Sequence, residues 1–416
     1  MTIKDRIAKA EHDCAGVFAH IDQLEAANTQ RVLALFQKHR VAARHFAGSE
    51  GYGYGDVGRE TLEAMVADLF HTQAAIFRPQ IASGTHALSL CLFGLLKPNE
   101  HLLSACGDPY DTLSEIIGIH QAVPGSLAEM NISYSKVEPA DKGELDIASV
   151  LAAILPNTKV IYVQRSRGYS LRKSLQPSDM AELFSAVKKI RPDIYLFVDN
   201  CYGAFTTQDE PTDYGADVVA GSLIKNLGGG LAPTGGYIAG SQLAIDRIAS
   251  RLTAPGIGLE VGSYQPGYRL FYQGLFMAPH TVAQALKTAV LAARVCEQLG
   301  MKTTPAFDEK RSDIIQAIIM ANEKQLILFC QGIQAASPID SFAVPEPWAM
   351  PGYADEVIMA AGTFVAGASI ELSCDAPLRE PYTAYLQGAL SYAHGKLALE
   401  NALLSIISPD KDTEPA

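Results

Sequence analysis

The spacing of apolar and polar positions changes several times along the chain, and each spacing predicts a different kind of element. Between residues 74 and 240, short apolar runs alternate with stretches of helical periodicity. This alternation is typical of an α/β domain with a mainly parallel, doubly wound sheet. The runs that predict strands and helices in this region are A-A-I-F, 85–96, K-V-I-Y-V, 180–190, D-I-Y-L-F-V and G-G-Y-I-A-G.

The regions on either side of the predicted sheet have their own patterns. The first ~45 residues have helical periodicity and predict an arm. A further helix is predicted at 281–300, followed by strand-like V-I-M-A-A and S-I-E-L-S and a helix near 397–407. We therefore expect an N-terminal helical arm at 1–50, an α/β domain at 51–295, a smaller α+β domain at 296–410 and a frayed tail at 411–416.

Composition and charge narrow the class of protein. The 416 residues are 48% hydrophobic and 19% charged, so the chain can bury a large core. The net charge of −12 argues against a nucleic-acid partner. The N-terminus has no signal-like apolar segment, the apolar run at 357–370 is too short for a membrane span, and the seven cysteines form no C-x-x-C motif. We expect a cytoplasmic protein without a structural metal.

A single lysine, Lys225, lies in the segment S-L-I-K-N-L-G-G-G among small, apolar and glycine residues. Desolvation by such neighbours disfavours the ammonium form, so we predict a lowered pKa and an amine that can attack a carbonyl. The alternative is a solvated lysine at a turn, because most lysines are exposed. Other residues must decide between these two interpretations.

Two further segments carry groups that would complement a reactive lysine. The run D-I-Y-L-F-V-D-N predicts a buried strand with Asp199 at its carboxyl end, although an aspartate there can also simply close a turn. Ser83, Gly84 and Thr85 precede a predicted helix, whose free N–H groups could bind a phosphate. The same residues could cap the helix, and the two roles do not exclude each other.

Tyr110 follows the apolar segment H-L-L-S-A-C and could stack on a flat cofactor or pack as a half-buried side chain. The phosphate loop, the aromatic residue, the aspartate and the lysine follow successive strands, and ligands collect at strand ends in open α/β sheets. Together they match the needs of pyridoxal phosphate: an anion site, a carboxylate for the ring nitrogen and an amine for the aldehyde.

Motifs for other chemistries have less support. Residues 53–58 match G-x-G-x-x-G, but no predicted strand precedes them and Arg78 stands where a ribose-binding acid is expected. A nicotinamide site is therefore not indicated. The sequence contains neither H-E-x-x-H nor G-x-S-x-G, so it does not indicate a metalloprotease or a serine hydrolase.

Eight phrases in order carry a resemblance to a known group of enzymes. They are G-Y-G-Y-G-D-V-G-R (51–59), S-G-T-H-A (83–87), P-Y-D-T-L (109–113), Q-R-S-R-G-Y (164–169), V-D-N-C-Y-G (198–203), G-S-L-I-K-N (221–226), Y-Q-G-L-F (272–276) and L-R-E-P-Y (378–382). The chain resembles the fold-type I pyridoxal phosphate enzymes of the cystathionine and methionine lyase superfamily, and in particular the aluminium-resistance, methionine gamma-lyase-like branch. Ala204 and Leu227 depart from this pattern, which has glutamate and proline there.

The resemblance implies a fold-type I, transferase-like fold that binds pyridoxal 5'-phosphate, with Tyr52, Tyr54 and Arg59 on an arm that reaches the site of a neighbouring chain in a homodimer or homotetramer. Within one chain, it implies these cofactor contacts: Ser83, Gly84, Thr85, Tyr110, Asp199, Ser222 and Lys225. For the substrate carboxylate it implies Arg379. Arg167 and Arg165 are the other candidates, and a surface ion pair is the alternative role for all three arginines.

The implied reaction eliminates a thiol from a sulfur amino acid and releases a 2-oxo acid and ammonia. Lys225 would act as the base and Tyr110 as the acid for the departing sulfur. Two alternatives stay open: transamination, and a cofactor-binding stress protein that turns over no amino acid. The expected partner in each enzymatic case is a small-molecule amino acid.

Overall fold

The computed structural model describes residues 1–140, 143–350, 353 and 355–407. The packing of the chain divides it into two compact units, and each is described by itself. An α/β unit comprises Ala27–Gly168 and Arg172–Ala278, and an antiparallel unit comprises Met1–Ala26, Tyr169–Leu171 and Pro279–Ala416. These units group the chain differently from the predicted segments, because residues 1–26 belong with the C-terminal part. The predicted tail at 411–416 lies outside the described residues.

Seven strands form the sheet of the α/β unit. They are β1 (Ala74–Arg78), β2 (His101–Ser104), β3 (Ser133–Lys136), β4 (Thr158–Gln164), β5 (Tyr195–Asp199), β6 (Val218–Ser222) and β7 (Gly236–Gly240). Their order is β1-β7-β6-β5-β4-β2-β3. The pairs from β6 to β3 are parallel, whereas β7 is antiparallel to β1 and to β6. The predicted mainly parallel sheet is confirmed.

The helices begin where the sequence offers side-chain caps. Asp56, Ser83 and Ser241 each accept a hydrogen bond from the backbone N–H three residues later. The helices of this unit are α2 (Val57–Leu69), α3 (Gly84–Leu95), α4 (Asp111–Ile117), α5 (Ile147–Ala152), α6 (Ala181–Ile190) and α7 (Gln242–Leu252), and two long helices, α1 (Ile3–Lys38) and α8 (Arg269–Gln298), contribute residues to both units. The apolar face of α2 is buried, as its periodicity predicts.

Burial along the strands explains why the sequence identified some of them and missed others. Every residue of β6 is buried, and four of the five in β5 are. Strands of a parallel sheet with both faces covered are apolar throughout and show no alternation. The segment V-V-A-G-S of β6 has only two large apolar residues, followed by three small ones, so its pattern did not predict a strand.

The parallel strands place several polar residues at one edge of the sheet. Gln164 and Asp199 are paired in register at the carboxyl ends of β4 and β5, and Asp199 is also paired with Ala220, two residues before Ser222 ends β6. Lys225 follows three residues after Ser222, the last residue of β6. The edge predicted to bind a ligand is therefore assembled within the α/β unit.

The antiparallel unit contains a five-stranded sheet in the order β10-β11-β12-β9-β8, with all neighbours antiparallel. Its strands and further helices are β8 (Lys302–Thr304), β9 (Ile315–Ile319), α9 (Glu323–Ala335), β10 (Val357–Ala360), β11 (Ser373–Pro377), β12 (Thr383–Gln387) and α10 (Tyr392–Ile407). One face of the sheet, including Cys374 and Leu386, packs in an apolar core with Phe329 and Leu399. None of the described helices is both long and apolar enough to cross a membrane.

One strand of this unit begins later than predicted. The segment S-I-E-L-S at 369–373 was expected to form a strand, but only its last residue belongs to β11. The carboxylate of Glu371 accepts hydrogen bonds from the backbone N–H groups of Phe364 (2.7 Å) and Val365 (2.9 Å). These bonds hold the chain in a turn, and the strand starts only after it.

Candidate active site

Lys225 lies in a tightly packed turn after β6. Its neighbour Asn226 is buried and donates side-chain hydrogen bonds to the carbonyl oxygens of Tyr202 (2.8 Å) and Ala204 (3.0 Å). A Cβ at Gly228 would lie 1.8 Å from the carbonyl oxygen of Leu223, so only glycine fits there. Lys225 itself is half-buried, with Nζ 3.8 Å from the centroid of the Tyr202 ring. Lys225 does lie in a turn, but its half-buried amine rests against an aromatic ring, so the interpretation as a solvated lysine is wrong.

The predicted lowering of the pKa of Lys225 is also wrong in its net direction. Burial by itself lowers the pKa of this amine, as expected. Tyr202, Cys201 and Asp199 act in the opposite sense, and together they hold the pKa of Lys225 above its ordinary value. The sequence indicated the desolvation, but the groups that outweigh it come close only in the fold.

Asp199 is buried at the end of β5, and both of its carboxylate oxygens accept hydrogen bonds. The backbone N–H of Cys201 donates to Oδ1 (3.0 Å), and the hydroxyl of Tyr162 donates to Oδ2 (3.2 Å). Burial, and then the nearby Asp199 carboxylate, raise the pKa of Tyr162 well above its ordinary value, so Tyr162 stays a hydrogen-bond donor. The two donors fix the orientation of the carboxylate at the sheet edge.

The N-terminus of α3 reaches the same edge. Ser83 caps the helix by accepting from the N–H of His86 (3.0 Å), and the hydroxyls of Thr85 and Thr112 lie 3.0 Å apart. A Cβ at Gly84 would lie 3.1 Å from both Cys201 Sγ and the Cβ of Ser222. The absence of a side chain at Gly84 therefore lets the first turn of α3 approach the end of β6. The free N–H groups of that turn can donate hydrogen bonds to an anion.

Tyr110 is tied to the strand that pairs with Asp199. Its backbone N–H donates to Oε1 of Gln164, the last residue of β4 (2.7 Å). The residue precedes α4 and is half-buried, and a Cβ at Gly168 would lie 3.5 Å from its ring. The ring thus belongs to the same edge as Asp199, and stacking on a cofactor stays a prediction.

The glycine-rich segment at 51–59 does not extend freely as an arm. Arg59 is 1% exposed and donates from Nη1 to the carbonyl oxygens of Gly53 (2.9 Å) and Gly262 (3.2 Å). The N–H of Gly262 in turn donates to the carbonyl of Tyr52 (3.0 Å). The guanidinium is hydrogen-bonded within its own chain, and the expected role of Arg59 as a cation for a neighbouring chain's phosphate stays a prediction.

The two tyrosines of that segment lie on the surface. Tyr52 and Tyr54 are 71% and 66% exposed, and their ring centroids are 5.5 Å apart. They are therefore accessible to another molecule in a way that Arg59 is not. Their contribution to the site of a neighbouring chain stays a prediction.

The candidate arginines for a substrate carboxylate differ in their surroundings. Arg165 is fully buried and donates to Asn200 Oδ1 (2.7 Å) and Thr207 Oγ1 (2.9 Å), with Glu210 3.5 Å away. This network within the α/β unit makes Arg165 a structural residue, so its candidacy as a carboxylate ligand is wrong. Arg167 is also buried, and its role stays a prediction.

Arg379 belongs to the antiparallel unit. It is about half exposed and forms an ion pair with Asp355 at 2.8 Å. It also lines a cavity of about 210 Å³, together with Tyr169, Thr383 and Tyr385. The ion pair fits the alternative of a surface salt bridge, while the cavity offers room for a small anion, so Arg379 stays a candidate.

Several residues of the site had no role in the sequence interpretation. Tyr202 is three residues beyond Asp199 in the phrase V-D-N-C-Y-G, and its closeness to a conspicuous carboxylate was the only signal for it. Tyr162 lies inside a strand and gave no signal. Gln164 and Asn226 become visible only through the hydrogen bonds that they make.

These residues fit pyridoxal 5'-phosphate. The cofactor needs an amine, a carboxylate for its ring nitrogen and a cradle for its phosphate. Lys225 and Asp199 supply the first two, and the first turn of α3 at Gly84 supplies N–H groups where a Cβ would crowd Ser222. A mainly parallel sheet with these groups at its carboxyl edge is the arrangement of a fold-type I pyridoxal phosphate enzyme.

The chain belongs to the methionine gamma-lyase family, whose sequence profile matches residues 3–407. Its cofactor is accordingly pyridoxal 5'-phosphate. It is 48% identical over 406 residues to the protein YnbB of Bacillus subtilis, and the aligned region covers 97% of this chain and 96% of YnbB. It is 28% identical over 208 residues to L-methionine gamma-lyase of Pseudomonas putida, and the aligned region covers 49% of this chain and 46% of that enzyme.

Solved structures agree with this assignment. A carbon-sulfur lyase involved in aluminium resistance from Clostridium novyi superposes with a TM-score of 0.93 at 47% identity, over 97% of this chain and 96% of the other. The pyridoxal phosphate-dependent protein YhfS of Escherichia coli superposes with a TM-score of 0.61 at 19% identity, over 94% of this chain and 97% of the other. The second likeness supports the fold alone, and the predicted fold class is confirmed.

Proposed function

We propose that the protein is a pyridoxal phosphate-dependent carbon-sulfur lyase, which eliminates a thiol from a sulfur amino acid and releases a 2-oxo acid and ammonia. The observation that carries this proposal is the grouping of Lys225, Asp199 and the first turn of α3 at one edge of the sheet. Membership of the methionine gamma-lyase family supports the reaction class, and the resemblance to cystathionine lyases supports the substrate class.

Each residue of the site has a part in holding the cofactor. Lys225 would bind its aldehyde carbon, and Asp199, oriented by Tyr162 and Cys201, would pair with the ring nitrogen. Ser83, Gly84, Thr85 and Ser222 would surround the phosphate, since α3 begins there and Gly84 lies against Ser222. When bound, the cofactor supplies an electron sink for the α-carbon of an amino acid.

The proton transfers fall to residues of this chain. The amine of Lys225, when it is not bonded to the cofactor, would remove the proton from the α-carbon of the substrate. Tyr110 would give a proton to the departing sulfur, since a thiol leaves more easily than a thiolate. For the substrate carboxylate, the two candidates are Arg379 beside its cavity and Arg167, three residues after the end of β4.

The test is a screen of sulfur amino acids for three products measured together: 2-oxo acid, ammonia and free thiol. A lyase releases all three without an added acceptor. An aminotransferase would release a 2-oxo acid only with an acceptor oxo acid present and would form neither ammonia nor thiol. A chain that binds the cofactor but releases no product from any amino acid would support the third possibility, a stress protein without turnover.

A matched pair of variants ties the products to the site. Lys225→Ala should abolish release, while Lys159→Ala should not, because Lys159 also lies beside an aromatic ring (Tyr195) but near the start of β4. Release that survives in the Lys225→Ala protein would count against the proposal.

A further inference from the structure

The amine of Lys225 lies over the face of an aromatic ring. Lys225 Nζ lies 3.8 Å from the centroid of Tyr202, whereas Lys159 Nζ lies 5.5 Å from the centroid of Tyr195. The face of an aromatic ring carries negative potential and attracts a cation, and the attraction is stronger where water is excluded. The close contact at Lys225 therefore favours the ammonium form of the amine.

Backbone hydrogen bonds fix the turn that carries Tyr202 next to the segment of Lys225. Asn226, the neighbour of Lys225, donates to the backbone carbonyl of Tyr202 (2.8 Å). One residue before the tyrosine, the N–H of Cys201 donates to Asp199 (3.0 Å). The turn that carries the ring is thus anchored to the lysine segment on one side and to the aspartate on the other.

We propose that Tyr202 is a further catalytic residue, whose ring face binds the ammonium form of Lys225 and so keeps on that amine the proton taken from the substrate. This inference rests on the proposed function. In the step concerned, the amine of Lys225 takes the α-proton as its third N–H, and the electron pair of the broken C–H bond stays with the substrate carbon. The ring lowers the energy of the resulting cation without itself gaining or losing a proton.

The other charged and titratable groups around the amine act in the same direction. The titratable groups that act on Lys225 are Tyr202, Cys201 and Asp199, and each of them favours the charged amine, against the opposing effect of burial. Burial and then Asp199 raise the pKa of Cys201, so its thiol is neutral near neutral pH and exerts its effect on the amine only where it ionises. Asp199 would pair with the ring nitrogen once the cofactor is bound, which leaves Tyr202 as the group specific to the amine, through its ring face and through a hydrogen bond of its side chain.

The experiment measures how fast the cofactor-free protein captures pyridoxal phosphate across a range of pH, from the visible absorbance of the bound cofactor. Only the neutral amine reacts, so the rate at a given pH reports how strongly the site favours the cation. Tyr202→Leu should capture about tenfold faster near neutral pH, because loss of a cation–π contact lowers the pKa of the amine by about one unit. Tyr202→Phe, which keeps the ring, should match the unaltered protein.

Two further variants serve as controls. One tests whether the charge of the ring face matters when its outline is kept, and the other tests whether removing a tyrosine elsewhere has the same effect. Pentafluorophenylalanine at position 202 keeps the outline of phenylalanine but reverses the charge on the ring face, so it should capture faster than Tyr202→Phe. It remains informative if Tyr202→Leu fails to fold. Tyr195→Leu, which removes the ring beside Lys159, should leave the profile unchanged.

Equal capture rates for the phenylalanine and pentafluorophenylalanine proteins would overturn the proposal. So would a Tyr202→Phe profile displaced as far as that of Tyr202→Leu, because the hydroxyl would then be the active group. The readout needs no turnover, so a protein that captures the cofactor normally but lacks lyase activity would count against the proposed function and leave this test intact. Capture that persists in Lys225→Ala would count against the proposed role of Lys225.

Discussion

The segments around Arg59 and Lys225 are both rich in glycine and each carries one cation, but the fold uses the two cations differently. The guanidinium of Arg59 is buried and donates to the carbonyl oxygens of Gly53 and Gly262. The amine of Lys225 lies against the ring of Tyr202. The first arrangement fixes the backbone of a loop, whereas the second acts on the charge of an amine. Similar local composition therefore gave one structural and one chemical cation.

The largest expected effect follows from removing the chemical cation. Lys225→Ala should lose at least ~10³-fold of the activity, because the base and the attachment point disappear together. Borohydride should fix the cofactor onto the unaltered chain at Lys225, as peptide mass mapping would show, but not onto the variant. Fixation at another lysine would contradict the difference drawn between the two cations, because Lys225 would then be a half-buried cation without a chemical role.

A smaller loss is expected at Asp199, the carboxylate proposed to pair with the ring nitrogen. Asp199→Asn should still bind the cofactor but slow α-proton exchange by about 10²-fold, because a neutral amide does not hold the charge of a protonated ring nitrogen. Exchange of the α-hydrogen with deuterium, followed by NMR, measures this step alone. Asp193→Asn, near the start of the same strand, is the control and should exchange normally. Equal rates in both variants would make Asp199 a turn residue only.

For the structural cation we expect an effect on stability. Arg59→Ala should lower the free energy of unfolding by about 2–4 kcal/mol, because carbonyl oxygens of residues 53 and 262 lose their buried donor. Urea unfolding of the cofactor-free protein measures it. Arg44→Ala, at an exposed arginine, should change the value by less than about 0.5 kcal/mol. A stable Arg59→Ala protein that binds no cofactor would reverse the assignment and make Arg59 a ligand.

The smallest effect concerns the exposed tyrosines presented by the Arg59 segment. Because Tyr54 is 66% exposed, Tyr54→Ala should barely alter unfolding, but it should weaken cofactor binding about tenfold if the ring completes the site of a second chain. In a randomly mixed population with Lys225→Ala, about a quarter of the sites would carry both intact residues. Cofactor titration and activity of the mixture measure the two effects. Unchanged affinity in the Tyr54→Ala protein would remove this tyrosine from the site.

The main features of the active edge could be predicted from local sequence. The apolar runs that became β1, β4, β5 and β7 have a clear spacing, and each functional segment follows or precedes such a run within a few residues. Asp199 and Lys225 were recognisable because a carboxylate or an amine directly after an apolar run is conspicuous. The positions of these residues on successive strands then imply a common edge, since parallel strands end together.

The partners of those residues could not be predicted in the same way. Tyr162 lies 37 positions before Asp199, and Gly262 lies 203 positions after Arg59, so no periodicity connects them. The strand expected at 369–373 was misplaced for a related reason, because Glu371 satisfies backbone N–H groups several residues upstream. Contacts between residues that are not neighbours in the chain decide these features, over six positions for Glu371 and over 203 for Arg59.

The charge of the amine shows where local information ends. The residues beside Lys225 in the chain are small and apolar, which was enough to predict that burial pushes its pKa down. The net direction is upward, because Tyr202, Cys201 and Asp199 approach the amine from another strand and its turn. Electrostatic interactions depend on distance in space, and only the folded chain sets the distance between two segments that are more than twenty residues apart in sequence.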